Sequence, residues 1–495
     1  MEGLGLKLEL IMQYFQVILP ELFLVCLLVI LVLVDLVVKE KRGVLITLTF
    51  VGVLVELYLV THQYFDTTQP VSGFFNLILL NSYAAFWKML LSVSTLVVIL
   101  IATINKEQKR LAEFLTLILT ILIGANLLIM SSNLLMIFLS VEVISIASYI
   151  ITTFAFNRGS AESGLKYLLF GAAASAVMLY GMSLLYAQTL TLEYPSQQFL
   201  DALLEAEPLP LIVSFVLVLA GLFFKIAAFP FHIWAPDIYT SAPTSAVAYF
   251  SVVPKLAGFA ILTKVVLVFN LFGQGPVNWF TLLSITAMLT LVVGNFSAIW
   301  QSNVKRMLAY SSIAHTGFLL AGFAAFSETA LQHVLFYASV YLTMNLGAFL
   351  LVQYFEVKHN FTKVEDYKGL INTYPFLSII FLIFMISLAG LPPTGGFTAK
   401  YLVFSSIWDS YSTTGNQWLF YLLIFGLVNT VISLFYYLKI PFYMIFRTGA
   451  DSVVAHKNNL SLENFLGGLL VLAILLIFFK PDWLMGMINS VSFAF

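Results

Sequence analysis

Apolar runs of about 18 residues or more, each enough to cross a roughly 30 Å hydrocarbon core, recur from residue 16 to residue 480 with no long polar insert. Hydrocarbon offers no water to backbone N–H and C=O groups, so such runs fold as helices that satisfy their own hydrogen bonds. The chain is therefore expected to be an all-α polytopic membrane protein, one membrane domain without a globular appendage. With 61% hydrophobic and 9% charged residues, its composition is not that of a soluble domain. The first run carries Pro20, Glu21 and Asp35 and continues to full spanning length, so a cleavable signal peptide is not expected. Cys26 is the lone cysteine, which excludes disulfides and thiolate metal sites.

The runs number fourteen: approximately 16 to 38, 43 to 61, 80 to 104, 111 to 130, 133 to 156, 162 to 188, 210 to 229, 245 to 270, 279 to 299, 304 to 325, 329 to 354, 374 to 407, 417 to 446 and 462 to 480. Lys and Arg in short loops are retained on the cytoplasmic side. In this count Lys39, Lys41, Arg42, Lys106, Lys109, Arg110, Arg158, Lys305, Arg306, Lys358, Lys363, Lys368, Arg447 and Lys457 all fall on one side. The opposite-side loops carry none, and the loop from 190 to 209 is acidic, with Glu193, Asp201, Glu205 and Glu207. Both termini are predicted outside. A miscounted span would have scattered the basic residues over both faces.

Internal repetition in transporters places the substrate path between repeats. Gly124, Ser132 and Asn133 match Gly294, Ser302 and Asn303 at an offset of 170. Glu162, Leu165, Leu169, Phe170, Gly181, Leu184 and Leu185 match Glu328, Leu331, Leu335, Phe336, Gly347, Leu350 and Leu351 at an offset of 166, and Leu219–Leu222 recurs as Leu388–Leu391. The unit holds five helices, so the second copy enters the membrane from the opposite face. The predicted organisation is a three-helix segment over 1–110, a first repeat over 111–270, an inverted second repeat over 279–446 and a C-terminal helix within 447–495.

Both repeats break a helix at the matching place. In the seventh span Pro230 removes a backbone donor and clashes one turn back; the twelfth, with Pro392, Pro393, Gly395 and Gly396, cannot be one continuous helix. Non-helical backbone at this depth persists only when buried in protein or facing water. Near these breaks lie ionisable residues inside apolar stretches: Glu142, Lys225, Lys255 and Lys400. Ionisable groups at membrane depth mark ion or proton pathways. Lysines near span ends can instead snorkel to the interface, which suits Lys166 and Lys439, while Lys88 and Lys264 are intermediate. Burial disfavours the charged form of a lysine and a nearby carboxylate favours it, so moving such a partner loads or releases a proton. His232, directly after the first break, and His315 are candidate relays, because histidine titrates closest to physiological pH. The bland alternative for both is a hydrogen-bonded packing role.

Other chemistries find little support. The histidines are scattered, without an H-E-x-x-H or paired axial-ligand pattern. Walker and dinucleotide glycine motifs are absent. The 46 phenylalanines suit lipid contact and packing. No metal, cofactor or nucleic acid is expected to bind this chain.

Three of these stretches carry a family resemblance. The run from His232 through Trp234, Asp237 and Pro243, followed by Ser251-Val-Val-Pro254-Lys255, resembles the central signature of the antiporter-like subunits of proton-pumping NADH:quinone oxidoreductase (complex I). Gln301 to His315 and Gly390 to Lys400 resemble two further blocks of that family. Lys400, where the M-type subunit is expected to carry glutamate, and the chain stopping soon after 480, where the L-type would extend into a long lateral helix, separate it from those two branches.

The resemblance implies that Glu142 pairs with Lys225, that Lys255 holds the transported proton at the centre, and that Lys400 belongs to the outlet half-channel. It implies partners in the membrane-arm subunits A, H, J, K, L and M and, through them, the peripheral redox arm. NADH, FMN, iron-sulfur clusters and quinone would be used by those other subunits. The implied location is the bacterial inner membrane, with the mitochondrial inner membrane as alternative. Thr244-Ser-Ala-Val after Pro243 departs from the family, which more often has a second proline there. A free-standing secondary cation/proton antiporter or an Mrp-type antiporter subunit would share the buried lysines and inverted repeat.

Overall fold

The computed structural model describes residues 14–38, 41–67, 69–106, 110–270, 278–448 and 461–493. Among them, twelve helices are long and apolar enough to cross a membrane, from Leu19–Val37 to Leu462–Phe479. The other two of the fourteen expected spans are helical but different in kind. Val304–Phe323 has 20 residues yet lacks the apolarity of the twelve, because it opens with Lys305 and Arg306 and carries several hydroxyls. It can do so because protein surrounds it almost completely. The expected run 374–407 is two helices, Pro375–Ala389 and Gly395–Thr414, separated by the proline-glycine segment. The expected run 210–229 is the helix Pro208–Ile226, and a separate short helix, Trp234–Ser241, follows the break before the next expected run. Each break contains a cis X-Pro peptide, at Phe229-Pro230 and Pro392-Pro393.

In so apolar a chain, asparagine marks where helices start. The side chains of Asn81, Asn133, Asn157 and Asn303 accept from backbone N–H groups of the first turn, satisfying donors that a helix leaves unpaired. Glu328–His359 runs through the middle, its most apolar window wholly buried. Outermost are faces rich in exposed apolar side chains such as Leu36, Val37, Val431 and Phe435.

The described basic loop residues gather at one end of the bundle. Arg42 donates to the Asn105 carbonyl at 2.7 Å. The Arg110 guanidinium lies 4.9 Å from the Phe156 ring centroid. Asn303 bridges to Lys363, and Lys368 lies over Tyr443. Lys39, Lys109 and Lys457 fall outside the described residues. At the opposite end a hairpin, Val71–Gly73 with Ile78–Leu80, which apolar periodicity did not announce, packs between helix ends. There Ser132 donates its N–H to the Leu77 carbonyl and Leu134 to that of Leu192. Tyr14 stacks on Phe74 and Ser492 donates its N–H to Ser82 Oγ, so these two residues share the end away from the basic loops. The acidic 190–209 loop also holds a short helix, Gln197–Glu205.

The second break is set by close backbone approach. A Cβ on Gly396 would stand 1.9 Å from the Ser387 carbonyl oxygen. Gly390 has φ +84°, a left-handed conformation that ends Pro375–Ala389. Gly396→Ala therefore forces the two half-helices apart and is expected to destabilise the protein by about 1–3 kcal/mol, read as a lowered thermal midpoint after extraction in detergent.

Candidate functional site

Lys225, Lys255 and Lys400 are all buried, and each ammonium is held by neutral oxygen. Lys225 lies in the last turn of Pro208–Ile226, where the exposed carbonyl end of a helix favours a cation. Its Nζ donates to Ser145 Oγ at 2.5 Å. Ser145 stands three residues after Glu142 on Leu134–Thr152, and so on the same helix face. Glu142 acts on Lys225 through its charge rather than through a direct ion pair, and its Oε1 is buried with no hydrogen-bond partner. The expected Glu142–Lys225 pair is thus a field interaction, with the ammonium itself held by Ser145. Glu142 itself is half-buried, on a face that otherwise exposes Leu139, Val143 and Ile146.

At the first break, the Ile226 carbonyl loses its helical partner and accepts from Thr316 Oγ1 at 2.8 Å. Thr316 also reaches the Ser312 carbonyl at 3.1 Å. Lys255 donates to that same residue, at 2.6 Å to Ser312 Oγ and 3.2 Å to its carbonyl. Pro254, immediately before Lys255, removes one backbone donor from Thr244–Asn270. Ser312 Oγ is 2.8 Å from the Tyr341 hydroxyl, which donates to the Ser251 carbonyl at 3.0 Å. One turn along from Ser312, His315 is fully buried, with Nδ1 2.7 Å from the Tyr337 hydroxyl and Nε2 2.9 Å from that of Tyr437. The charges of Lys255 and Lys400 both reach it. Lys400, on Gly395–Thr414, turns back to the end of Pro375–Ala389, donating to the Ala389 carbonyl at 2.8 Å and lying 4.5 Å from the Phe318 ring centroid. A Cβ on Gly390 would come within 2.6 Å of Lys400 Cδ, so glycine there makes room for the lysine.

Lys255 and Tyr341 thus meet at Ser312, His315 is held by Tyr337 and Tyr437, and Lys225 and Lys400 have oxygen partners of their own at Ser145 and at the carbonyl end of Pro375–Ala389. Lys225 and Lys400 flank their breaks differently: Lys225 ends the half-helix before its break, whereas Lys400 sits on the half-helix after. His232 stacks on Phe229, half-buried, and its Nδ1 has no hydrogen-bond partner. Pro230 is exposed on the outer surface. The hydroxyls were within reach of sequence reasoning, because Ser145 and Ser312 lie three positions from Glu142 and His315, and Tyr337 and Tyr341 are four apart.

At the basic end a cavity of about 1020 Å³ is lined by Asn105, Lys106, Asn157, Ser241, Lys305 and Glu356 among others. Lys305 Nζ is 2.9 Å from Glu356 Oε1, and Thr244 donates to the other Glu356 oxygen. Thr244 begins the helix that carries Lys255.

Residues 131–433 match the family model described as NADH:quinone oxidoreductase/Mrp antiporter, TM. The chain belongs to this family. It is similar to NADH-quinone oxidoreductase subunit N of Chlorobium chlorochromatii, at 37% identity over 93% of this chain and 92% of that one. Among solved structures, a chain of respiratory complex I from Thermus thermophilus with bound aureothin matches 96% of this chain and 100% of its own, at 26% identity and TM-score 0.78. A chain of the Mrp complex from Dietzia shares the fold over 96% of both chains, with TM-score 0.83 at 19% identity. Family membership places the chain in a membrane, and the matched segment contains Glu142, Lys225, Lys255, His315 and Lys400.

A hydrogen bond to a charged group contributes about 1.5–3 kcal/mol. Ser312→Ala, which removes the side-chain acceptor of Lys255 and its link to Tyr341, is expected to slow proton transport about tenfold or more with normal membrane insertion. Tyr341→Phe should slow it in the same direction but less, both measured by pH-dye quenching in sealed vesicles.

Proposed function

We propose that this chain is a proton-translocating, N-type membrane-arm subunit of an NADH:quinone oxidoreductase, a translocase that moves protons while electron transfer occurs elsewhere in the complex. The observation that carries this reading is the file of buried lysines and hydroxyls inside an apolar bundle, with a polar cavity opening at one end. The 37% identity to a subunit N over nearly the full chain supports the N-type assignment. Likeness to the Mrp chain supports the shared fold alone.

In this reading NADH, FMN, iron-sulfur clusters and quinone serve other subunits, and this chain contributes only proton handling. Its neighbours are the membrane-arm subunits A, H, J, K, L and M. The membrane is a bacterial inner membrane with the basic end cytoplasmic and both termini outside. The two five-helix units, 111–270 and 279–446, act as inverted halves that meet near Lys255 and Ser312.

The mechanism is electrostatic. A charge change in a neighbouring subunit alters the field at Glu142, which is half-buried and carries an unpartnered oxygen. Unit charges about 4 Å apart interact by roughly 4 kcal/mol at an effective dielectric of 20, equivalent to about a thousandfold in proton affinity. Serine holds Lys225 farther than this from the carboxylate, so the figure is an upper scale for the switch. Weakening the carboxylate's hold on Lys225 releases its proton toward Lys255, the next buried lysine, held at Ser312. From Lys255 it moves toward Lys400 at the second break, past His315, which the charges of both lysines reach.

Lys225→Ala is expected to leave the complex assembled and oxidising NADH while proton pumping is abolished. Normal pumping with full assembly would overturn the role. Recovery of the chain from solubilised native membranes as a lone active transporter, rather than with a large flavin and iron-sulfur complex, would favour a free-standing antiporter instead.

A further inference from the structure

A second cluster of buried ionisable groups lies outside the Lys225–Lys400 file, in the first four spanning helices. Lys88 on Ser82–Ile104, one of the lysines that sequence position left intermediate, is wholly buried. Its Nζ is 2.7 Å from Glu21 Oε1 and donates to Gln63 Oε1 at 3.0 Å. Glu56, also wholly buried, accepts from Asn126 Nδ2 at 3.1 Å. The charges of Lys88 and Glu21 both reach Glu56. Neither Glu21 oxygen receives an aligned hydrogen bond, and Glu56 Oε2 has no partner.

Charge balance decides what such a cluster can be. Two carboxylates and one ammonium, all ionised, would leave a net negative charge in an apolar interior, and each buried ion carries a penalty of several kcal/mol (roughly) unless it is paired. One carboxyl must hold a proton. Lys88 contacts Glu21 directly, so Glu21 is the ionised partner and Glu56, held by a neutral amide, carries the proton.

The cluster is also connected. Gln63 forms part of the wall of a cavity of about 600 Å³, beside Gln16, His62, Asp66 and Gln69. One side chain therefore separates the Lys88 ammonium from a polar cavity, at the bundle end away from the basic loops. On the inner side, Lys88 lies 3.7 Å from Met130 Sδ, while Lys264 donates to the carbonyls of Ile129 and Ser131 on either side of that methionine. The Tyr249 hydroxyl, within the field of Glu56, sits on the helix that also carries Lys255 and Lys264.

We propose that Glu21, Glu56 and Lys88 form a second proton-holding site, which exchanges its proton with the cavity beside Gln63. The site stands independently of how the Lys225–Lys400 file is driven, because its charge balance and access rest on these side chains alone.

Infrared spectra of the complex purified from its native membrane test this directly. Wild type minus Glu56→Gln is expected to show the C=O stretch of a protonated carboxyl at neutral pH, shifted in D₂O. Glu21→Gln should also abolish that band, because Glu56 then becomes the ionised partner of Lys88. Lys88→Met should add a second band, from Glu21. Each substitution is close in size to the original, and the Glu21 variant reports on Glu56 should Glu56→Gln fail to assemble. Carboxylate bands alone in the Glu56 difference spectrum would overturn the proposal. So would a carboxyl band that does not shift in D₂O, since the proton would then not exchange with the cavity.

Discussion

An ammonium group in a hydrocarbon-filled bundle must be given oxygen, and the way this chain supplies it organises the interior. Lys225 and Lys255 rest on serine hydroxyls, and Lys264 and Lys400 on backbone carbonyls at helix ends. Neutral oxygens stabilise the cation without fixing it as strongly as a carboxylate would. The lysine can lose its proton without leaving a bare anion beside it. Lys88, in contact with Glu21, follows the opposite rule.

The breaks follow from the same need. A continuous helix keeps its carbonyls for itself, whereas an interrupted one leaves the last carbonyls of each half-helix unpaired. At Ala389 that surplus meets Lys400, and at Ile226 it meets Thr316. Proline and glycine at 230, 392, 393, 395 and 396 are thus the means by which an apolar chain makes polar surface at depth. Gly390 and Gly396 then let backbone and lysine approach closely enough to use it.

Much of this was legible in the sequence, since the broken segments and the three lysines of the file stood out against apolar surroundings. Apolarity could not distinguish Val304–Phe323, which is polar because protein shields it, from a lipid-facing span of the same length. Nor could it rank Lys88 and Lys264, because hydropathy gives a residue's depth along a helix but not the neighbour its face meets. Both prove buried, whereas Lys166 is exposed and paired with Glu162. Glu56 carries no mark in the sequence, as a single carboxylate in an apolar helix has no local pattern to point to its partner seventy residues away at Asn126. The hydroxyls are hidden for a related reason: serine and tyrosine are common in helices, and only contact geometry shows which of them meet a lysine or histidine.

Ser312 is an oriented acceptor. Its oxygen accepts from Lys255 while its hydroxyl faces Tyr341, whose own hydroxyl is committed to the Ser251 carbonyl. Each hydroxyl in that row has one proton to give, and the row ends on a carbonyl that can only accept. The Tyr341 proton therefore fixes which way Ser312 points, and the lone pairs of Ser312 are left turned toward Lys255. A tyrosine that never touches the ammonium thus sets the polarity of the oxygen that does.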